Sequence, residues 1–156
     1  MTNLIGEYEC KVDAKGRLLI PAGLRKQFSA EAEGRLFVKR GIETCLELYQ
    51  KHDWERVSAQ VAGLNQFVKK NRLFARKFIS GVAQLEVDNV GRILLPKPLL
   101  DYASVSKTMV LFAYGDKIEI WSKEKYEEEL AMGADEFSDL AEDVMGDLKS
   151  GSNELS

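Results

Sequence analysis

The sequence predicts an α+β fold made of two copies of one small module. Three observations predict it. A ten-residue segment, Val12-Asp13-Ala14-Lys15-Gly16-Arg17-Leu18-Leu19-Ile20-Pro21, returns as Val87-Asp88-Asn89-Val90-Gly91-Arg92-Ile93-Leu94-Leu95-Pro96, an offset of 75 residues. Further on, Leu46-Glu47-Leu48-Tyr49 with Lys51 and Trp54 is answered by Ile118-Glu119-Ile120-Trp121 with Lys123 and Tyr126, at an offset of 72, so the second copy has the shorter loop. Within each copy the apolar spacing changes from the period of a strand to that of a helix. A repeat this long is a duplicated module and not a solenoid unit. Each copy is about 60 residues or fewer, too few to bury a robust core alone. The copies are therefore expected to fold against each other.

Glu7 to Asp13 alternates, with Tyr8, Cys10 and Val12 on one side, and reads as a strand. Lys15-Gly16 is a turn dipeptide. Leu18 to Ile20 is a short apolar strand closed by Pro21, so the segment reads as a β-hairpin. Ala22 to Phe28 predicts a short helix with Leu24 and Phe28 on one face. Leu36 to Lys39 and Cys45 to Tyr49 read as two strands around Gly41. Asp53 is placed to cap a helix carrying Trp54, Val57, Val61 and Leu64. A second helix is expected over Asn71 to Ile79, with Phe74 and Phe78 inward and Lys70 and Lys77 outward. The second copy follows the same order: a hairpin from Gln84 to Asp88 and Arg92 to Leu95, a short helix over Leu99 to Ala103, strands over Met109 to Ala113 and Lys117 to Trp121, and a helix over Lys123 to Leu130. Phe137, Leu140, Ala141, Val144 and Leu148 again have helical spacing, and Ser150 to Ser156 is expected to be disordered. The expected organisation is a first module over 7–54, a helical connection over 55–82, a second module over 83–126 and an acidic C-terminal helix and tail over 127–156.

The formal net charge of −3 hides an asymmetry. Residues 127–156 hold ten acids and one base, which leaves fifteen acids against 21 bases, net +6, in residues 1–126. No acid lies between Glu55 and Glu86, whereas Arg56, Lys69, Lys70, Arg72, Arg76 and Lys77 do. A basic body with an acidic tail fits a nucleic-acid binder whose tail restrains non-specific binding. A solvated helix face with a solubilising tail explains the same charges. No run approaches a membrane span, the N-terminus lacks a signal-peptide layout, and the two cysteines, Cys10 and Cys45, read as reduced and structural. A cytoplasmic protein is expected.

Catalytic chemistry has little to stand on. The one histidine, His52, makes no metal cluster alone, and Cys10 and Cys45 lack the close spacing of zinc ligands. No nucleophile elbow or phosphate-binding loop occurs. Asp13 and Asp88 can be imagined as paired carboxylates across a pseudo-two-fold axis, but each has an Arg four residues on that would keep it ionised. No catalytic residue, metal or cofactor is expected. The turns carry the signal instead. Each Asp is placed to accept from turn amides or to bridge to its Arg, Arg17 or Arg92, which presents a pre-oriented guanidinium suited to a guanine edge. A turn-closing surface ion pair is the plainer explanation for either copy by itself. Recurrence of Asp, Gly and Arg, while the residues between them differ, favours a binding role.

These residues resemble the SpoVT-AbrB family of swapped-hairpin DNA-binding modules. The pattern from Val12-Asp13 through Gly16-Arg17-Leu18-Leu19-Ile20-Pro21 to Leu24-Arg25 carries the likeness. Two such modules in one chain resemble the MraZ family of bacterial regulators, with Gly6-Glu7-Tyr8 and Ile118-Glu119-Ile120-Trp121-Ser122 as further points. The likeness covers roughly residues 5–130. It implies a tandem swapped-hairpin, AbrB-like β-barrel pseudo-dimer with short flanking helices, assembled as a ring-shaped homo-oligomer. It also implies sequence-specific binding of double-stranded DNA at tandem G-containing repeats upstream of the chain's own division and cell-wall gene cluster, with repression of that cluster and a place at the nucleoid. The DNA-binding residues carried over are Asp13, Arg17, Asp88 and Arg92. Lys15 at the first turn tip suits a phosphate contact, and Arg25 is a further basic position. Their counterparts are Val90 and Leu100, so the second turn is expected to contribute less charge. No membrane or small-molecule substrate is implied. Two rivals remain: an antitoxin-like protein-binding module acting through the acidic stretch 134–148, and an enzyme, which would need a pocket lined by both Asp13 and Asp88 with raised pKa values.

Overall fold

The computed structural model describes residues 2–30 and 34–155, with side chains as far as Leu148. The elements in chain order are β1 (Leu4–Lys11), β2 (Arg17–Leu19), α1 (Ala22–Arg25), β3 (Arg35–Arg40), β4 (Leu46–Gln50), α2 (Lys51–Ala62), α3 (Lys69–Ile79), β5 (Ala83–Glu86), β6 (Arg92–Leu94), α4 (Lys97–Tyr102), β7 (Thr108–Gly115), β8 (Lys117–Ser122), α5 (Lys123–Glu129) and α6 (Ala134–Leu155). The fold is α+β, and its strand pairs are antiparallel. The chain divides into two units, residues 1–125 and 126–156.

Strand pairing crosses between the copies. β1 of the first copy runs along β7 of the second, from Leu4 opposite Gly115 to Lys11 opposite Thr108. β5 of the second pairs with β3 of the first. β4 and β8, equivalent strands of the two copies, meet at the centre. The six-stranded order is therefore β1-β7-β8-β4-β3-β5. β2 and β6 pair only with each other, as a separate two-stranded ribbon. The six-stranded sheet is unclosed, which corrects the expected barrel. The three-residue strands β2 and β6 are too short to carry a ladder out to both edges, and a single bridge, Val12 to Leu18, is the link formed on the first copy's side. The hairpin inferred from the sequence thus holds only at its tip. Alternation and a turn dipeptide locate a chain reversal without saying which strands will pair.

One apolar cluster joins the copies. Leu18, Ile20 and Leu24 from the first and Ile93, Leu95 and Leu99 from the second lie in it, with Leu46, Leu48, Ile118 and Ile120 from the central strands. The sheet centre also buries charge. Lys39, 1% exposed, pairs with Glu47 at 3.0 Å, and Lys117 and the Tyr49 hydroxyl reach the same carboxylate at 3.3 and 3.1 Å. Glu119 is the cross-strand partner of Glu47.

Several helices depart from expectation. α1 ends at Arg25, and the chain continues to Phe28 through single-turn bonds from Gln27 to Leu24 and from Phe28 to Arg25. Asp53 is not the cap of α2. Gln50 holds that position without a side-chain bond, and Asp53 lies buried in the first turn against Arg56 at 3.3 Å. In α3 no residue is buried. Phe78 stacks on Trp54 with centroids 6.3 Å apart, whereas Phe74 touches Phe78 yet stays 43% exposed. α6 runs on to Leu155, through most of the stretch expected to be disordered; Ser156 lies outside the described residues. Adding a residue to an existing helix needs only one further bond, which weak local propensity does not prevent.

Candidate nucleic-acid interface

Each turn is built by its aspartate. In the first, the Asp13 amide donates to the Arg17 carbonyl and the Gly16 amide to the Asp13 carbonyl, both at 3.0 Å. Gly16 takes φ +90°, a left-handed value that favours glycine. Asp13 Oδ1 accepts from the amides of Lys15 and Arg17, each at 2.9 Å, and Oδ2 accepts from Arg17 Nε at 2.7 Å. The second turn repeats this. Asp88 Oδ1 accepts from the amides of Val90 at 3.1 Å and Arg92 at 2.8 Å, Oδ2 accepts from Arg92 Nε at 2.8 Å, and Gly91 sits at φ +94°.

The chemical result is a fixed cation. The Arg17 amide, with the Arg17 guanidinium and the Lys15 amide, holds Asp13 below the usual carboxylate range, and the Arg92 groups and the Val90 amide do the same for Asp88. Both carboxylates stay charged at neutral pH and occupy Nε of each arginine. The two Nη groups make no hydrogen bond among the described residues. Their end-on fork has the geometry that donates to guanine O6 and N7. The raised pKa values that would mark an acid–base pair are absent from Asp13 and Asp88.

The ribbon brings the two turns together. Arg17 lies opposite Leu94 and Leu19 opposite Arg92, with Leu18 opposite Ile93 between them. Side chains alternate along a strand, so Leu18 and Ile93 point into the core while Arg17, Leu19, Arg92 and Leu94 share the other face. On such a ribbon the two arginines are diagonal neighbours, about 7–8 Å apart between Cα atoms across the two strands. Cross-copy bonds brace the arrangement. The Ile20 amide donates to the Gly91 carbonyl at 2.9 Å and the Leu95 amide to the Gly16 carbonyl at 2.8 Å.

Lys15 is exposed at the first tip. Arg25 is exposed on α1 and lies against the turn of the other copy, where a Cβ built on Gly91 would fall 2.6 Å from its Nη1. Its counterpart Leu100 lies against Gly16 in the same way, its Cδ1 3.6 Å from the corresponding position. The second turn therefore gains from Arg25 the cation that Val90 does not supply, and the expectation of a less charged second turn is corrected. Numbering within each copy hides this crossing. The paired change of Lys15 to Val90 and Arg25 to Leu100 was its one trace in the sequence. Neither the histidine nor the cysteines join the site: His52 is an exposed helix residue 3.6 Å from Asp53, and Cys10 and Cys45 are free thiols. No metal-binding group of His, Cys, Asp or Glu occurs among the described residues.

A family model described as "MraZ protein, putative antitoxin-like" matches residues 4–77 and 78–147. A protein named Transcriptional regulator MraZ from Christiangramia forsetii is 48% identical over 147 residues, 94% of this chain and 95% of that one. Its namesake from Flavobacterium psychrophilum is 44% identical over 95% of each chain, and that of Cytophaga hutchinsonii 36% identical over 92% of this chain and 95% of the other. A solution structure of PHS018 from Pyrococcus horikoshii overlaps 75% of this chain and 87% of its own at 18% identity and a TM-score of 0.29, too weak a likeness to carry an argument. Two matched segments that together span most of the sequence, and relatives this similar from end to end, establish that the chain belongs to the MraZ family.

Proposed function

We propose that this chain is a non-enzymatic transcriptional regulator that binds double-stranded DNA through the paired-turn ribbon. The observation that carries it is the ribbon face: two arginines from separate copies, each anchored through Nε with its fork free, on a two-stranded element of a width the major groove admits. Arg17 and Arg92 read guanine edges. Asp13 and Asp88 position them, and Lys15 and Arg25 contact flanking phosphates. The names of the relatives support regulation of transcription. The target is the tandem G-containing repeats upstream of the chain's own gene cluster, and the effect is repression. The crossed strand pairing supports a swapped-hairpin pseudo-dimer with module boundaries near 7–54 and 83–126. A ring of such chains at the nucleoid presents many ribbons at once, so repeats in tandem gain by effective concentration.

Titration of labelled upstream duplex at several salt concentrations tests this. Affinity should fall by about 0.9 log unit per log unit of salt for each phosphate contact. Salt-independent binding, or equal affinity for a scrambled duplex, refutes it. A second reading, an antitoxin-like module, rests on α6, where Phe137, Leu140, Val144 and Leu148 are exposed at helical spacing among acidic residues. Co-purification of a small basic protein that is lost when residues 134–148 are removed would favour it.

A further inference from the structure

The ribbon face holds more than its arginines. Leu19 is 58% exposed and Leu94 57%, and they occupy equivalent places in the two copies. Scattered exposed leucines need no explanation. These two are not scattered: each is the direct cross-strand neighbour of an arginine, Leu94 of Arg17 and Leu19 of Arg92. Directly opposed residues bring their Cβ atoms within about 4.5–5.5 Å, more than one base-pair step of about 3.4 Å and less than two. An aliphatic group beside a guanine-reading fork therefore meets the neighbouring base pair. The major-groove edge there offers one apolar feature, the C5-methyl of thymine.

We propose that Leu19 and Leu94 are specificity-determining residues that pack on the 5-methyl groups of thymines adjacent to the guanines engaged by Arg92 and Arg17. This rests on the duplex-DNA reading above. The backbone beneath them suits the task. Leu18 and Ile93 anchor the ribbon in the core, and the bonds from Ile20 to Gly91 and from Leu95 to Gly16 fix both strand ends. The leucines are held at a set height beside the guanidinium forks, and burying a methyl requires no polar partner that another base could supply. Cytosine and uracil have the same ring without that methyl.

The test uses the full chain and duplex libraries with a random core, synthesised with thymine or with uracil in its place. From the thymine library the protein should retain duplexes enriched in T next to the enriched G; from the uracil library it should keep the G and lose the neighbouring preference. On one retained duplex, each thymine-to-uracil change at that place should weaken binding about fourfold, the worth of one buried methyl-sized group. Replacing the same base pair by one carrying 5-methylcytosine should restore part of the loss. Leu19→Ala and Leu94→Ala, checked for native circular dichroism, should each bind the thymine and uracil forms alike at the place its own leucine meets, and the double variant at both. Guanine enrichment with no thymine–uracil difference overturns the leucine proposal and leaves DNA binding standing. Retention of no duplex from either library overturns both. A changed oligomer mass in the leucine variants would assign this face to a second copy of the chain and overturn the proposal as well.

Discussion

Around Asp13 the carboxylate takes two amide bonds at 2.9 Å and one arginine Nε at 2.7 Å; around Asp88 the same three bonds measure 3.1, 2.8 and 2.8 Å. The central strands of the same two copies do not agree in this way. Glu47 faces Lys39 across β3 and β4, whereas the equivalent Glu119 faces Phe112 across β7 and β8. One copy closes its sheet with a buried ion pair and the other with an aromatic ring. The Lys39–Glu47 pair is fully buried and the Phe112–Glu119 pair half-buried, so the sheet accepts two different residue sets there. The turns ask for a particular atom, a guanidinium fork, at a particular place, and there the copies coincide in all three bonds. The two copies thus agree bond for bond at their turns and differ in how they pair their central strands.

The largest expected effect breaks the core side of that comparison. Lys39→Met leaves the Glu47 carboxylate buried with Lys117 alone as a cation, and removing one member of a buried pair costs about 3–5 kcal/mol. At the matching position Phe112 is half-buried and carries no charge, so Phe112→Met should cost less, about 1.5 kcal/mol. Urea unfolding midpoints of the two variants give the comparison. Equal losses would mean that the ion pair and the ring bear alike on stability.

Next come the turn glycines, which look equivalent and are not. Alanine at either enters a left-handed conformation at a cost of about 1–2 kcal/mol. At Gly16 the added Cβ also meets the Leu95 carbonyl oxygen at 2.7 Å, which is backbone, in a braced position. At Gly91 it meets the end of the Arg25 side chain, which can swing away. Gly16→Ala should be the more destabilising by about 1 kcal/mol or more, a strain figure for a displaced braced backbone. Gly91→Ala should instead lose DNA affinity, because Arg25 is moved from the second turn. The prediction fails if both lose stability equally and neither changes affinity.

Arg17→Ala and Arg92→Ala should each weaken DNA binding by about 1–3 kcal/mol and relax preference at one base, to a similar degree in the two copies. Lys15→Ala and Arg25→Ala should weaken all duplexes alike and lower the salt slope by about 0.9 each. Competition binding with single-base variants of one duplex separates the two classes. An Arg92 variant with wild-type selectivity would leave the first turn as the reader and the second as scaffold.

How much of this was legible beforehand divides along the same line. The turns were, because a tight reversal with a positive-φ glycine and an Asp–Arg pair is local chemistry written in five consecutive residues. The two copies, their order and the shared core followed from the offset of 75 and the small size of each module. Partners were not. Nothing in Arg25 announces that it serves Gly91, or in β1 that it pairs with β7, because contacts made across the duplication depend on which strands meet. The buried Lys39 escaped notice for a related reason: a charged residue in a short alternating run reads as solvent-facing until the strand is known to be covered on both sides.

The smallest effect is a pH dependence that differs between the paired glutamates. At Glu47 burial pushes the carboxyl up, but Lys39 and Lys117 together draw it below the usual glutamate value. At Glu119 burial dominates and the carboxyl is raised, with the Trp121 bond at 3.2 Å opposing only part of the shift. A lowered carboxyl contributes stability that is present above the ordinary value of about 4.3 and is lost as pH falls through the native one. A raised carboxyl does the reverse: its contribution is complete below about 4.3 and is lost as pH climbs through the native value. Glu119 therefore subtracts from stability at neutral pH, while Glu47 and the two turn aspartates hold it up until acid conditions. Glu119→Gln keeps a carbonyl for Trp121 and removes the charge, so the variant should be slightly the more stable at neutral pH and should lose that lead as the pH approaches about 4. Urea midpoints of both proteins across that range decide it. A lead that stays constant with pH would place the effect in packing and not in the ionisation of Glu119.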